Sequence, residues 1–133
     1  MYRLFTLEEA TDMIPTVDGL LGELQDAAQE LERLRDRISR IRPNSVDARN
    51  AGQEISFLLG QFQSDKAQLD RIGVHIKDVE SGLVDFPSQL GAEVICLSWE
   101  KGQPAITHYH RLGENAAKPL PGSLGNGGGA AGA

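Results

Sequence analysis

Two heptad-like runs, separated by a short break, constrain the fold of this chain more than any other feature. The first run has apolar residues at alternating spacings of three and four, at Val17, Leu20, Leu24, Ala27, Leu31, Leu34, Ile38 and Ile41. The second run has the same spacing at Ala48, Ala51, Ile55, Leu58, Phe62, Asp65, Leu69 and Ile72. This spacing is typical of a coiled-coil seam. Folding one run back on the other sets small Ala27 against large Phe62, so the pattern predicts an antiparallel helical hairpin.

Local residues predict where these helices begin and end. Thr6 with Glu9 three positions later has the form of a capping box. Pro15 is expected to end or kink the first turns and to open a long helix that runs to about Ile41. Ser45 or Asn44 is expected to cap the second helix. Gly73 is expected to end it.

The apolar stripe on the predicted hairpin is wider than two helices need. Leu21, Ala28 and Leu59 occupy positions beside the seam where an isolated hairpin would carry charge. Either the segments that follow cover this stripe, or it binds another copy of the chain or a protein partner. These three residues are therefore candidate partner-binding residues.

The second half of the chain reads as short strands. Two short strands are predicted at Val74–Lys77 and Leu83–Pro87. They precede a predicted β-hairpin that turns at Lys101-Gly102 and pairs Glu93–Trp99 with Pro104–His110. A two-residue loop there would set Glu93 opposite His110 and Ile95 opposite His108, with Cys96 on the other face; a one-residue bulge would change these pairs. The fold class predicted is α+β, a long helical hairpin packed on a small antiparallel sheet.

Composition limits the class of protein. A length of 133 residues suits one domain, expected at residues 1–117, with residues 118–133 as a flexible Pro/Gly/Ala-rich tail. The single Cys96 excludes an internal disulfide and, with no leader or membrane-spanning run in the sequence, favours a cytoplasmic protein. A net charge of −6 argues against general nucleic-acid binding.

Arginines gather where the two helices should meet. Residues 30–50 hold six arginines against four acids, although the whole chain is acidic. Four of them are candidate contacts for an acidic partner, a phosphate or a membrane surface: Arg35, Arg37, Arg40 and Arg42. The alternative is a solvated tip paired locally through Asp36 with Arg40 and Glu32 with Arg35.

A second candidate site lies on the predicted sheet. His108 and His110 are two positions apart, so both rings should project from one face. With Glu93 and Asp85 they could hold Zn²⁺ or Fe²⁺. The alternative is a hydrogen-bonded cluster at the sheet edge without metal, and the residues alone require no cofactor.

The chain resembles the bacterial domain-of-unknown-function family 2203 over residues 2–120. The resemblance is carried by the run GLVDFP at residues 82–87, with Trp99, Gly102 and His110 following. The chain departs from the family pattern at Ser98, where a cysteine is usual, and also at Gln103 and Tyr109. The resemblance implies the α+β fold and a cytoplasmic bacterial protein, but no activity.

The sequence contains no recognisable catalytic constellation. We therefore expect a non-enzymatic interaction module, an accessory subunit or a homo-oligomer. The alternative is a small metal- or ligand-binding protein that uses the cluster of His and carboxylate residues on the sheet.

Overall fold

A computed structural model describes residues 3–122. Two long helices, α1 (Leu7–Ile38) and α2 (Val46–Ile72), pack against each other as the predicted antiparallel hairpin. Thr6 caps α1: its hydroxyl accepts from the Glu9 N–H at 3.0 Å, and its own N–H donates to the Glu9 carboxylate at 2.9 Å. The predicted capping box is therefore present, and it fixes the start of a helix of 32 residues, about 48 Å long.

The other helix ends differ in detail from the expectations. Helix α1 runs without interruption through Pro15. The carbonyl of exposed Thr11, which loses its helical partner to the proline, lies where water can bind it. Ser45, not Asn44, caps α2 by accepting from the Ala48 N–H at 3.1 Å. Gly73 ends α2 with φ 98°, the left-handed conformation that glycine adopts without strain.

Five strands form an antiparallel sheet in chain order. They are β1 (His75–Asp78), β2 (Leu83–Leu90), β3 (Glu93–Glu100), β4 (His108–Arg111) and β5 (Lys118–Pro119). Within the predicted tail, Lys118 and Pro119 pair with β4, and the Leu120 N–H donates to the Thr107 carbonyl at 3.0 Å. The predicted tail from residue 123 onward lies outside the described residues.

The register of the β3–β4 hairpin differs from the predicted one by three residues. His110 lies opposite Cys96, not Glu93, and His108 lies opposite Ser98. The connection is longer than two residues, because β4 does not begin until His108. A shift by an odd number exchanges the faces of a strand, so both histidines lie on the face of Cys96.

The two faces of the sheet have opposite character. The helix-covered face is made by Val84, Phe86, Ile95, Leu97, Trp99 and Tyr109, which join buried residues of α1 and α2 in one core. The open face is made by Asp85, Pro87, Cys96, Ser98, His108 and His110. Among residues 3–122, the helix residues of the core all pack on the first face, and no open-face residue belongs to that core.

Two turns hold α1 against the sheet. Lys101, after β3, reaches α1 and donates to the Asp18 carboxylate at 2.5 Å. Gly82, before β2, has φ 75°, and a Cβ atom there would lie 2.6 Å from the Lys101 Cβ atom. On the other turn, the Gln25 amide donates to the Val79 carbonyl at 3.1 Å. These contacts require glycine at position 82, the first residue of the GLVDFP run.

The segment before α1 completes the edge of β2. The Phe5 N–H donates to the Pro87 carbonyl at 2.7 Å, and the Ser88 hydroxyl donates to the Phe5 carbonyl. Pro87 lies beyond the part of β2 that pairs with β1, where a missing N–H breaks no ladder. The Phe5 ring meets the Phe86 ring edge to face at 5.3 Å. The N-terminal segment is thus a structural part of the sheet.

Part of the wide apolar stripe is covered by the sheet. Leu21, an expected partner-binding residue, is fully buried in the core shared with the helix-covered face, so it presents no surface to a partner in this fold. Ala28 is half-buried, and Leu59 remains 46% exposed. The sheet therefore covers one end of the stripe and leaves the region around Leu59 accessible. Neither helix in residues 3–122 is both long and apolar enough to cross a membrane.

Candidate functional site

Three strands bring a carboxylate, a thiol and an imidazole together on the open face. Asp85 on β2, Cys96 on β3 and His110 on β4 are all buried. One ligand atom from each lies within 4.8 Å of the other two. Side chains opposite one another in antiparallel strands share a face, which explains the pairing of Cys96 with His110. Asp85 is two strands from His110, so the imidazole must reach over β3 to meet it.

The His110 ring is held by a hydrogen bond at each nitrogen. Nδ1 lies 3.0 Å from the Arg111 carbonyl oxygen, and Nε2 lies 2.9 Å from the Asp85 Oδ2 atom. A carbonyl oxygen can only accept, so Nδ1 carries a hydrogen and Nε2 is directed at the carboxylate. The Nδ1 contact with a backbone carbonyl is one that metal-ligating histidines usually make, but Nε2 is here occupied by the Asp85 carboxylate.

The contact between Nε2 and Asp85 needs a cation. A neutral imidazole that has its hydrogen on Nδ1 presents a lone pair at Nε2, and an ionised carboxylate presents another. Two lone pairs 2.9 Å apart repel, so a proton lies between them and the contact is a hydrogen bond. A metal ion that bound both atoms would replace this proton.

Asp85 has two further partners. The Ser98 hydroxyl donates to Oδ1 at 3.2 Å, and the Lys77 ammonium lies 3.8 Å from Oδ2. The Asp85 side chain is only 7% exposed, whereas that of Lys77 is 41% exposed. A buried carboxylate is costly unless it is paired, and here hydroxyl, ammonium and imidazole share that pairing.

Cys96 is a poor nucleophile in this environment. Burial, followed by the negative charge of Asp85, raises the pKa of its thiol to about 11, although Lys77 acts in the opposite direction. At neutral pH the sulfur keeps its hydrogen, so nucleophilic catalysis by a free thiolate is disfavoured. A bound metal ion would reverse this state, because it deprotonates a coordinating thiol.

The predicted metal ligands are only partly brought together. Asp85 and His110 meet as expected. Glu93 is exposed on the side of the helix-covered face and accepts from Arg111 Nε at 2.9 Å. His108 is exposed on the open face, with its Nδ1 2.8 Å from the Thr107 hydroxyl. Neither belongs to the cluster.

The sequence analysis does not include Cys96 among the metal ligands, because a two-residue turn at Lys101-Gly102 predicts a register in which Cys96 and His110 lie on opposite faces. The residue that could have corrected it is Pro104. Proline is disfavoured within a paired strand, so β4 had to begin later. The Trp99 indole N–H donates to the Gln103 carbonyl at 3.0 Å, which holds the chain in a turn where the second strand was predicted to begin.

The candidate partner-binding residues lie elsewhere. Arg40 pairs with Asp36 at 3.1 Å and Arg35 with Glu32 at 3.5 Å, both exposed, so the predicted local pairs at the tip are confirmed. A groove of about 640 Å³ lies between the helices and the β1–β2 turn. Its lining includes Gln25, Ala28, Leu31, Leu59, Phe62 and Val79.

Comparison with known proteins adds a family but no chemistry. A family model described as "Uncharacterized conserved protein (DUF2203)" matches residues 3–118. No curated protein and no solved structure shows a significant match to the chain. The matched segment contains the whole Asp85–Cys96–His110 cluster.

Proposed function

The chain belongs to this family of uncharacterised conserved proteins, whose description names no activity. From the site itself, we propose that the protein binds a divalent transition metal at Asp85, Cys96 and His110. The observation that carries this proposal is the convergence of a carboxylate oxygen, a thiol sulfur and an imidazole nitrogen, all buried, within 4.8 Å of one another.

The spacing of the three ligand atoms suits such an ion. Around tetrahedral zinc, neighbouring N, O and S ligand atoms lie about 3.4–3.6 Å apart, given bonds of about 2.0–2.3 Å. The present atoms are separated by between 2.9 Å and 4.8 Å. The Nε2 and Oδ2 atoms are closer than this, so a metal ion that replaced their shared proton would move them apart by about 0.5 Å. The Nδ1 hydrogen bond to Arg111 already fixes the imidazole as metal binding requires.

The ligand set favours zinc over the alkaline-earth ions. A thiolate and an imidazole are soft or borderline ligands that Mg²⁺ and Ca²⁺ avoid, whereas Zn²⁺ accepts both together with a carboxylate. Fe²⁺ is the second choice for the same donors. A free thiol persists in a reducing compartment, so we place this function in the cytoplasm.

Metal titration of the purified protein tests the proposal. After treatment with chelator, the protein is titrated with Zn²⁺ in a calorimeter and its melting temperature is recorded. We expect one ion per chain, and a stabilisation of about 2.7 kcal/mol when free zinc reaches a hundredfold excess over its Kd. Addition of Co²⁺ in place of Zn²⁺ should produce the charge-transfer absorption of a cobalt–thiolate bond.

Variants identify the ligands. Cys96→Ser and His110→Gln should each weaken zinc binding at least a hundredfold, and Cys96→Ser should abolish the thiolate absorption. His108→Gln is the matched control, because it removes an exposed imidazole from the same face. Equal loss in His108→Gln, or a wild-type protein that takes up no metal, would overturn the proposal.

The second candidate function is the interaction module, and the groove beside Leu59 favours it. Leu59 is 46% exposed and lines this groove with Phe62 and Ala28. Single exposed apolar residues are ordinary on a protein surface, but a groove lined by both apolar and polar side chains is a typical feature of binding surfaces. The arginines at the helix tip, Arg35, Arg37, Arg40 and Arg42, remain candidate contacts for an acidic partner.

Native mass spectrometry tests this second function. A dimer or larger assembly that Leu59→Lys converts to monomer would support an interface in the groove. Ser64→Lys, which adds the same charge at an exposed position of α2 away from the groove lining, should leave the assembly intact. A monomeric wild-type protein would exclude the homo-oligomer and leave only a different protein as partner.

A further inference from the structure

We propose that the metal centre on the open face binds a small anion, a carboxylate or a phosphate, with Lys77 as the counter-charge. This inference rests on the proposed metal function and adds the class of ligand. It is carried by the number of protein ligands, by the local charge and by the row of side chains around the cluster.

The cluster supplies three ligands. Within residues 3–122 the group that could hold an ion consists of Asp85, Cys96 and His110. Closed structural zinc sites have four protein ligands, whereas sites with three leave a position for water or substrate. All three side chains rise from the sheet, and both helices lie on its other face. The remaining position therefore faces away from the sheet.

Charge favours an anion at that position. A divalent ion bound to one carboxylate and one thiolate is electrically neutral as a group. Lys77, with its ammonium 3.8 Å from Asp85 Oδ2, then contributes a positive charge that the cluster no longer balances. In a chain of net charge −6, this local excess of positive charge distinguishes the site from the average surface. An anion that binds the metal would also lie near the Lys77 ammonium and gain from both charges.

The neighbouring side chains flank the site on both sides. His75, Asp85, Ser98 and His108 are opposite one another across four strands, so the two exposed imidazoles flank the cluster. Neighbouring strands lie about 4.8 Å apart, which sets the flanking residues about 14 Å from each other. An anion at the remaining metal position would lie between these two edges of the site, within the row that the two histidines end.

Cobalt spectroscopy tests the inference. Protein loaded with Co²⁺ is titrated with acetate and, separately, with inorganic phosphate, at fixed ionic strength in a weakly coordinating salt. We expect the visible cobalt bands to shift and saturate with at least one of the two anions. Saturation by acetate alone would identify a carboxylate ligand, and saturation by phosphate alone a phosphate ligand.

Variants separate the role of Lys77 from metal binding. Lys77→Gln is loaded with Co²⁺ until its thiolate absorption equals that of the wild type, and it should then bind the anion at least tenfold more weakly. Neutral imidazole, which also binds open cobalt sites, should bind both proteins equally. Lys118→Gln, a lysine on β5 outside the cluster, is the matched control and should bind the anion as the wild type does.

The outcomes distinguish this inference from the proposed function. Failure to take up Co²⁺ would overturn both. Normal cobalt uptake without any change of the bands on adding acetate or phosphate would overturn the anion site and leave the metal function standing. Anion binding that is equally strong in wild type and Lys77→Gln would overturn the role of the lysine.

Discussion

The two faces of one sheet show how differently the same strands can be used. On the helix-covered face, Val84, Phe86 and Leu97 are completely buried under the helical hairpin. On the open face, Asp85 and His110 are nearly as inaccessible, at 5% and 6% exposure, although neither belongs to the apolar core. The first face is buried under apolar helix residues, whereas the two buried side chains of the second are joined to each other by a hydrogen bond.

This difference separates stability from chemistry. Apolar burial stabilises the fold by about 25 cal/mol per Å² and needs no particular partner. A buried carboxylate and imidazole lose the free energy of hydration. Hydrogen bonds to each other, together with the contacts of Asp85 with Ser98 and Lys77, replace it. Substitutions on the helix-covered face should therefore affect folding, and those on the open face should affect ligand binding more than folding.

The largest effect is expected from Phe86→Ala on the helix-covered face. The ring is fully buried and meets Phe5 edge to face, so its removal leaves a cavity and should lower the free energy of unfolding by about 3–5 kcal/mol. Urea unfolding followed by circular dichroism measures this. A loss of less than about 1 kcal/mol would mean that the helices do not cover this face as described.

A smaller and coupled effect is expected on the open face. His110→Gln or Asp85→Asn alone should cost about 1–3 kcal/mol, because each leaves a buried polar partner with poorer pairing. The double variant should cost less than the sum of the two single variants. The same urea titrations measure this double-mutant cycle in metal-free protein. Strict additivity would show that the two side chains do not interact, contrary to their 2.9 Å separation.

Local residues predicted the helical half of the molecule well. Thr6, Glu9, Ser45 and Gly73 act through hydrogen bonds within a few residues of themselves, so their roles can be recognised without knowing the rest of the fold. The seam was predictable for the same reason, because its spacing repeats the geometry of one helix. The α+β class followed from these elements and from the short apolar strands.

The candidate site depended on a non-local quantity, the register of β3 against β4. Residue type alone identifies Asp85 and His110 as candidate ligands. The predicted two-residue loop between β3 and β4 is too short, and it therefore places Cys96 on the face opposite to His110. A register error by an odd number of residues exchanges the faces of a strand. Contacts between β2 and β4, which are not neighbours in the sheet, also depend on how far the His110 ring reaches over β3, and no sequence spacing contains that information.

The open face should show a further effect through its thiol. Burial and Asp85 raise the pKa of Cys96 from 9.0 to about 11, so at pH 8 only about a thousandth of the thiol is ionised. Alkylation by iodoacetamide should be slow and should keep accelerating between pH 9 and 11, whereas in the urea-unfolded chain it should level off above pH 9. Because the folded pKa is raised, the thiol's contribution to stability is present below pH 9 and is lost as the pH rises towards 11. An alkylation rate that levels off at pH 9 in the folded protein would contradict this environment.

The smallest change in stability is expected from a pair of carboxylates on the helical hairpin, Glu23 on α1 and Asp65 on α2. The carboxylate of Asp65, a nearly buried member of the seam, raises the pKa of exposed Glu23 by repulsion and by a shared hydrogen bond. A raised pKa means that this group favours folding below its ordinary pKa of 4.5 and loses that contribution as the pH rises through the folded value. Glu23→Gln should therefore raise the melting temperature slightly at pH 7 and leave it unchanged near pH 3.

Glu54→Gln is the matched control for that substitution. It removes the same charge from an exposed helical position, but Glu54 lies near Arg33, whose pKa is raised mainly by Glu30 and to a smaller extent by Glu54. Its removal should therefore not stabilise the protein at pH 7. Differential scanning calorimetry at the two pH values measures both variants. Equal stabilisation by both at pH 7 would attribute the effect to the net negative charge of the chain, and would show that the repulsion between Glu23 and Asp65 is too weak to matter.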